Sequence, residues 1–297
     1  MTARHILSQR RMEPTMSTIH RLCALATACA CLPAAAQWSD TSIGVRYGTK
    51  FREPYIADDI TKTIVDLQHA SGYKYGTNFF NVDMLMSDHN DPASPGSNTG
   101  AQEAYVVYRT FLDASAVLGR DFKAGPIRGW GLTGGFDWNT KNDAGYNSRK
   151  RMWVLGPTLS FDVPGFLNVG VHELWESNAP YDDYTQTGVP RYHYRAHPML
   201  ASSWSIPIGA LPLSFEGYAN FIASKGKDEF GAQTAPETHF DAQLMWNAGG
   251  LVGAKPQTWR IGVEYEYWKN KFGNDWHGPA GHGAFAETPM VRAEYHF

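Results

Sequence analysis

Cysteine is scarce in this sequence and confined to its beginning. Cys23, Cys29 and Cys31 are the only three among 297 residues. From residue 32 onward, therefore, no disulfide can hold the chain together. A chain of this length without cross-links must take its stability from a large cooperative fold.

Long apolar runs and basic tracts are missing as well. After the N-terminal region, no stretch approaches the roughly 18 apolar residues that a membrane-crossing helix needs, which excludes a helical membrane protein. The mean hydropathy is −0.39 and the formal net charge is −3. Because Lys and Arg form no cluster, nothing in the sequence supports a nucleic-acid partner.

Common motifs of hydrolases and metalloenzymes are also absent. There is no GxSxG, no HExxH and no cysteine nucleophile after residue 31. His193 and His197 share a predicted strand, but a spacing of four residues separates them by about 13 Å, too far for one metal ion. We therefore predict no catalytic residue, no metal site and no cofactor. A hydrolase on a barrel wall, built around a histidine such as His172, stays open as an alternative.

The first 36 residues are typical of an export signal. The segment LCALATACACLPAAAQ places a short apolar core after Arg21 and a small-residue cleavage site before Gln37. A start at Met16 would already give a complete signal. Without residues 1–36, which hold four Arg and one Glu, the net charge changes from −3 to −6. We interpret residues 1–36 as a signal peptide and residues 37–297 as one exported domain.

Aromatic residues and glycine, in contrast, are plentiful, with 10 Trp, 15 Tyr, 15 Phe and 29 Gly. This composition favours strands and tight turns. Segments of about ten residues alternate between apolar and polar side chains along the whole exported part. Twelve of them are predicted as strands: 41–51, 61–70, 77–87, 101–112, 127–139, 151–161, 166–177, 191–204, 211–223, 237–247, 258–270 and 288–297.

The connections between these segments alternate in length. Those after odd-numbered strands are mostly long and polar, such as SDHNDPASPGSNTG, whereas DVPGF and IPIGALP after strands 6 and 8 are short. Outer-membrane barrels combine short periplasmic turns, long extracellular loops and an even number of strands. We therefore predict an all-β fold, a single antiparallel up-and-down transmembrane barrel of about 12 strands. A soluble β protein is the alternative, because alternation alone does not say which face is outside.

If the apolar side meets lipid, the charged side chains line the lumen. In predicted strand 11, for example, Ile261 and Val263 lie opposite Arg260 and Glu264. Most of these charges should pair across neighbouring strands, because an unpaired charge in a narrow interior is costly. The predicted pore-lining charges are Arg46, Asp66, His172, His193, Arg195, Glu216, Arg260, Glu264, Arg292 and Glu294.

Twelve strands should leave a narrow lumen. Eight strands are filled by their own side chains and 16 to 18 leave an open channel, so twelve should admit a small molecule in contact with the wall. Charges of both signs favour a neutral, hydrogen-bonding solute. Inward glycines such as Gly135 and Gly156 indicate either spare room or wall curvature. The inward aromatic residues that could stack on a planar ring are Phe79, Tyr105, Tyr218 and Trp268.

Several stretches resemble the nucleoside-specific channel proteins of the Tsx/OmpK type. The similarity covers most of the exported part and begins at Trp38, with SIGVRYGTKFREP as a first strand leading to Pro54. It continues through ITKTIVDLQHASGYKYGTNFFNVDML and the hairpin LGPTLSFDVPGFLNVGV. The resemblance implies a monomeric twelve-stranded barrel in the Gram-negative outer membrane that passes nucleosides and deoxynucleosides by facilitated diffusion. It also implies that Phe51, the aromatic residue after the first strand, lies in the solute path.

The sequence therefore predicts an outer-membrane channel for nucleosides or similar small neutral solutes, reached by export through the periplasm. Phe51 joins the stacking residues, and hydrogen bonds to hydroxyls and base edges are assigned to Asp83, Glu103, Arg109 and Asp241. The alternative is a surface-interaction barrel, of the adhesion or phage-receptor type, without specific transport.

The last segment, VRAEYHF, should close the barrel against the first strand. Val291, Ala293, Tyr295 and Phe297 form an apolar row that is expected to face lipid. Phe297 resembles the terminal signal that the outer-membrane assembly machinery reads, which makes that machinery and the lipid bilayer the expected partners.

Overall fold

Alternating apolar and polar side chains form long strands throughout residues 37–297, the part of the chain that the computed structural model describes. The predicted signal peptide, residues 1–36, lies outside the described residues. The twelve long strands are β1 (Trp38–Phe51), β2 (Ile60–Tyr73), β3 (Gly76–Ser87), β4 (Gln102–Asp113), β5 (Ile127–Lys141), β6 (Arg151–Phe161), β7 (Phe166–Asn178), β8 (His197–Pro207), β9 (Leu213–Ile222), β10 (Glu237–Asn247), β11 (Trp259–Lys269) and β12 (Phe285–His296).

These strands form a closed ring. Each pairs antiparallel with its sequence neighbours, and β12 pairs back onto β1. At this seam Ser42 lies opposite His296 and Arg46 lies opposite Arg292. Closure leaves the wall without an open strand edge. The predicted twelve-stranded antiparallel barrel is confirmed.

The outer surface of the wall is apolar and the inner surface is charged. Val263 and Val291 are 58% and 59% exposed on the outside, whereas Asp66 and Glu264 on the inside are 0% and 3% exposed. A soluble barrel has the reverse arrangement, because water favours charge outside and apolar groups inside. The structure thus places the apolar face on the outside of the barrel, a point that the sequence pattern left open.

Exposed tryptophans mark both ends of the apolar outer surface. Trp138 and Trp153 stand near one end of the barrel, and Trp38, Trp130 and Trp259 stand near the other. On β5, Trp130 and Trp138 are eight residues apart, which is about 26 Å along a strand. Aromatic girdles flank an apolar band about 25 Å tall in transmembrane barrels.

The two ends of the barrel differ in their connections. At one end, called the loop end, the connections are 52–59, 88–101, 142–150, 179–196, 223–236 and 270–284. At the other, called the turn end, they are 74–75, 114–126, 162–165, 208–212 and 248–258. The longest turn-end connection contains a five-residue helix, α1 (Ala114–Leu118), capped by the Asp113 carboxylate. Between residues 37 and 297, no helix is long and apolar enough to span a membrane.

One predicted strand is shorter than expected. Strand 8 was expected from residue 191, but β8 begins at His197, six residues later. His193 pairs with Ser177 and His197 pairs with Leu174, so the register shifts by one residue between them. A shift of one residue turns side chains to the other face. His193 and Arg195, which were predicted to line the pore, lie before β8 in the 179–196 connection and are exposed.

Glycines on the inner face let neighbouring strands approach closely. A Cβ on Gly135 would lie 2.0 Å from the Tyr108 carbonyl oxygen of β4, and one on Gly156 would lie 2.1 Å from the Val171 carbonyl oxygen of β7. These contacts are with backbone, which cannot move aside without shifting the wall. Of the two readings of the inward glycines, wall curvature is the one that these two positions support.

Candidate solute site in the barrel interior

Two apolar clusters face each other inside the barrel. The first comes from β1, β2 and β12 and consists of Phe51, Ile60, Ile64 and Met290. The second comes from β6, β7 and β8 and consists of Met152, Val154, Leu174 and Met199. In a ring of twelve strands, β1 and β2 are diametrically opposite β7 and β8. The clusters therefore form two apolar walls on opposite sides of the interior.

A bulge in β1 brings Phe51 into this space. Arg46 and Gly48 face inward, so regular alternation would point Phe51 outward, but the pairing with β2 shifts between Gly48 and Phe51. The bulge turns the ring inward, where Phe51 is only 4% exposed and packs on Ile60 and Ile64.

A cavity of about 150 Å³ lies between the two apolar walls. Its lining includes Phe51 and Met290 on one wall and Met152, Met199 and Ile222 on the other. An engineered apolar cavity of about 150 Å³ binds benzene. The space therefore has room for one small planar ring in contact with both walls.

An ionic network lies on the loop-end side of the cavity. This loop-end network joins Glu53, Lys62, Asp91, Lys141 and Lys271. Lys62 Nζ lies 2.5 Å and Lys271 Nζ 3.3 Å from Glu53 Oε1, and Lys141 Nζ lies 3.0 Å from Asp91 Oδ2. Burial by itself would raise the pKa of the Glu53 carboxyl, but Lys141, Lys271 and Lys62 outweigh it and hold that pKa well below its usual value.

A second ionic network lies toward the turn end. This turn-end network consists of Arg46, Asp66, Asp83, Glu216, Arg260, Glu264, Arg292 and Glu294. Arg292 binds Glu264 at 2.9 Å and Glu294 at 2.7 Å, and Arg46 reaches Glu264 at 3.3 Å and pairs with Asp83. The network thus contains eight of the residues predicted to face the lumen and pairs their charges across strands.

Between the two apolar walls, the cavity has two polar edges, one formed by β4 and β5 and the other by β10 and β11. At the β4–β5 edge, Arg109 Nη1 lies 2.5 Å from Asp137 Oδ1, and the Tyr105 hydroxyl donates to Asp137 Oδ2 at 3.1 Å. The Asn139 amide donates to Glu103 beside them. Every charged side chain that lines the cavity at this edge therefore has a partner.

At the β10–β11 edge, His239 and Trp268 stack in parallel with ring centroids 3.9 Å apart and planes 5° apart. His239 Nε2 contacts Glu266 Oε1 at 3.2 Å, and Trp268 Nε1 donates to Glu237 Oε2 at 3.2 Å. Asp241 lies on the same edge with 7% exposure and lines the cavity. No residue within 37–297 donates a hydrogen bond to the Asp241 side chain or forms an ion pair with it.

The structure thus brings most of the predicted solute contacts to one cavity. Of the nine predicted stacking and hydrogen-bonding residues, it gathers seven around it: Phe51, Asp83, Glu103, Tyr105, Arg109, Asp241 and Trp268. Tyr218 stands just behind its lining, with its hydroxyl 3.1 Å from His239 Nε2. Phe79 is 39% exposed, lies four residues closer to the turn end than Asp83, and takes no part in the lining.

His172 faces the interior but stands apart from the cavity. Its Nε2 lies 3.0 Å from the Thr158 hydroxyl, which in turn contacts the Thr133 hydroxyl at 2.6 Å. Its Nδ1, where the carboxylate of a hydrolase triad would bind, has no partner among the described residues. In that same part of the chain, no group of three or more His, Cys, Asp or Glu side chains is arranged to hold a metal ion.

Several lining residues were not anticipated from the sequence. Glu53 and Lys271 come from loop-end connections, and Lys62 lies at the loop end of β2. Lys62 could have been found from the sequence, because it lies four residues from Asp66 on the same strand and therefore points to the same, inner face. Nothing in the sequence could pair Lys271 with Glu53, since 218 residues separate them.

No protein-family model matches the sequence, and no curated protein sequence matches it significantly. Among solved structures, it is similar to the translocator domain of autotransporter NalP from Neisseria meningitidis, with a TM-score of 0.42, 14% identity, and coverage of 95% of this chain and 98% of that one. A KdgM porin overlaps with a TM-score of 0.38 and 8% identity over 86% of this chain and 99% of that one. OccK11 (OpdR) from Pseudomonas aeruginosa overlaps with a TM-score of 0.32 and 11% identity, covering 87% and 96%. These scores are too low to carry an argument, so the fold rests on the strand pairing described above.

Proposed function

We propose that residues 37–297 form a channel in the outer membrane of a Gram-negative cell. Two features support this location: the exposed apolar outer wall and the tryptophans at both of its ends. An apolar belt of this kind is stable only where lipid covers it. Long connections gathered at the loop end would then face outward and short ones the periplasm.

We further propose that the channel passes nucleosides or similar small neutral solutes by passive diffusion. The observation that carries this proposal is the cavity between the two apolar walls, which is sized for one ring and has hydrogen-bonding side chains around its margin. A planar base would place its faces against Phe51 and the methionines and its polar edge toward Tyr105 or Asp241. Paired charges on both sides leave no ring of one sign, which disfavours selection of strongly ionic solutes.

Efflux from proteoliposomes tests this function. Vesicles loaded with adenosine, thymidine and a sugar of similar size should release the two nucleosides faster than the sugar. Phe51→Leu should slow nucleoside release about fivefold, the factor equivalent to about 1 kcal/mol of lost stacking. Sugar release should not change by the same factor, because a sugar does not stack on the ring.

Phe79→Leu is the matched control. It removes a second inward phenylalanine that lies outside the cavity lining, so the ratio of nucleoside to sugar release should stay at the wild-type value. Equal release of sugar and nucleoside by the wild type, or no release of either, would contradict the proposed function.

Contacts among the loop-end connections favour a second candidate, a surface-interaction barrel. Tyr146 and Tyr194, from two different connections, both donate to the Glu229 carboxylate of a third. Burial and the charge of Glu229 raise the pKa of the Tyr146 phenol, which keeps it a donor. A fixed cluster of this kind offers a binding surface for a partner outside the cell. Deleting residues 226–232 should abolish partner binding under this candidate and leave nucleoside release intact under the first.

A further inference from the structure

Charge pairing is nearly complete around the cavity, and the exception is informative. Seven carboxylates line it, together with five cationic side chains and His239. Six of the carboxylates accept a hydrogen bond or form an ion pair with another described residue: Glu53, Asp83, Glu103, Asp137, Glu237 and Glu266. Asp241 does neither, although nine-tenths of it is buried.

A carboxylate in the interior that no protein group hydrogen-bonds depends on whatever molecule occupies the adjoining space, water or solute. The oxygens of Asp241 face the cavity, so a molecule in the cavity could supply the missing donor. On the same edge, the fully buried Glu266 Oε2 has no hydrogen-bond partner among the described residues. The β10–β11 edge is thus rich in acceptors and short of donors.

The neighbouring groups indicate what kind of donor fits. The stacked rings of His239 and Trp268 border Asp241 on β10 and β11. Asn220, diagonal to Asp241 on β9, lines the cavity with a side-chain amide that bonds to no other described residue. A carboxylate beside an amide, at the edge of a slot sized for a ring, matches the donor and acceptor pattern on the edge of a heteroaromatic base.

We propose that Asp241 is the specificity-determining residue of the cavity and that it accepts a hydrogen bond from an N–H group on the edge of a heteroaromatic base. Asn220 supplies the complementary contact to the adjacent ring nitrogen or carbonyl oxygen. This proposal rests on the proposed function, because it assigns one residue of the same nucleoside path. The solute class is narrowed to nucleosides with a free N–H on the base.

Pairs of nucleosides that differ only in this N–H test the proposal. Adenosine carries two N–H bonds on its exocyclic nitrogen and N6,N6-dimethyladenosine carries none; uridine and 3-methyluridine differ in the same way at the ring nitrogen. Wild-type proteoliposomes should release the N–H compound of each pair roughly tenfold faster at low concentration, the factor that one charge-assisted hydrogen bond supplies.

Asp241→Leu keeps the size of the side chain and removes the acceptor, so the ratio within each pair should fall to about one. Phe79→Leu, at an inward position outside the cavity lining, should leave the ratio at its wild-type value. Heat-modifiable gel mobility checks that each variant is folded before it is reconstituted.

The outcomes separate this proposal from the function on which it rests. If wild-type vesicles release adenosine no faster than the sugar, the proposed function fails and this inference with it. Equal release within each pair overturns the role of Asp241 and leaves nucleoside transport standing. An unchanged ratio in Asp241→Leu also overturns it, since the methyl groups would then be excluded by size.

If Asp241→Leu does not fold, the proposal can be tested by measuring nucleoside binding to the wild-type protein by titration calorimetry. Tighter binding of adenosine than of N6,N6-dimethyladenosine, and of uridine than of 3-methyluridine, supports the proposal. Equal affinities within both pairs overturn it.

Discussion

The two polar edges of the cavity each contain one buried aspartate, and the two aspartates differ in whether their carboxylates have hydrogen-bond partners. At the β4–β5 edge, Asp137 is held by Arg109 and by the Tyr105 hydroxyl. At the β10–β11 edge, Asp241 is buried to a similar degree, 7% against 6% exposure, and has no partner among residues 37–297. Equal burial with unequal pairing separates a group that stabilises the wall from one left free for a ligand.

The largest effect should come from a third carboxylate, the most heavily paired of all. Glu53 is buried against Lys62 and Lys271 and lies 3.8 Å from Lys141. Glu53→Gln would leave these lysines without their shared anion, and removing one partner of a buried ion pair costs about 3–5 kcal/mol. Urea unfolding of the refolded barrel, followed by tryptophan fluorescence, measures this loss.

The same residue sets a pH dependence of known sign. Because the pKa of Glu53 in the folded protein lies well below its usual value of 4.5, its contribution is complete above that value. It is lost as the pH falls from 4.5 toward the lowered pKa. The free energy of unfolding of the wild type should drop in this window more steeply than that of Glu53→Gln. Parallel curves would show that Glu53 is not the group responsible.

Arg109→Met should cost less, because the side chain of Arg109 is 23% exposed and water screens its pair with Asp137. We expect a loss of about 2 kcal/mol, since Asp137 would keep only the Tyr105 hydroxyl as a strong donor. Arg128→Met, at an exposed arginine on β5, the strand of Asp137, is the control and should change stability by less than about 0.5 kcal/mol. Equal losses in the two variants would contradict the pairing described for the β4–β5 edge.

Two adjacent glycines on β5 test how closely this edge is packed. Gly135 lies opposite Arg109, and a Cβ there would lie 2.0 Å from the Tyr108 carbonyl oxygen; a Cβ on Gly134 would meet nothing nearer than 3.6 Å. Gly135→Ala should lower stability by about 1.5 kcal/mol, a typical cost of overpacking. Gly134→Ala should be neutral or slightly favourable. A reversal of this order in urea unfolding would show that the curvature of the wall does not depend on Gly135.

The smallest effect is expected at the other edge. Asp241→Asn keeps the shape of a carboxyl group that no described residue hydrogen-bonds, so the free energy of unfolding should stay the same or rise by about 1 kcal/mol. The corresponding variant at the β4–β5 edge, Asp137→Asn, should lower the free energy of unfolding. If both variants lose stability equally, the two edges do not differ in the way that their hydrogen bonds indicate.

Most of the fold could be predicted from the two-residue period of the strands and from the lengths of the loops. Alternation over about ten residues predicted all twelve strands, because a two-sided wall imposes a period of two on every segment. The error at strand 8 arose where alternation continued through RYHYR but the pairing did not. A one-residue shift in register depends on the partner strand and leaves no trace in local periodicity.

The candidate site was less accessible to sequence reasoning. The alternation of side chains along the strands predicted that Asp83, Arg109 and Asp241 face the lumen. It could not reveal that Asp241 alone among the cavity's carboxylates lacks a partner, since pairing depends on which side chains from distant strands reach one another. Phe51 shows the same limit: its position faces inward only because of a bulge, and only a family resemblance pointed to it.

The seam between β1 and β12 places two arginines side by side, Arg46 opposite Arg292. Their charges are balanced by Asp66 from β2 and Glu264 from β11, each of which lies within 4 Å of both guanidinium groups. A sheet that has not yet closed therefore separates Arg46 from Glu264 and Arg292 from Asp66. Joining the first and last strands completes both sets of contacts at once, so the seam favours the closed ring over a partly open sheet and makes closure a cooperative event.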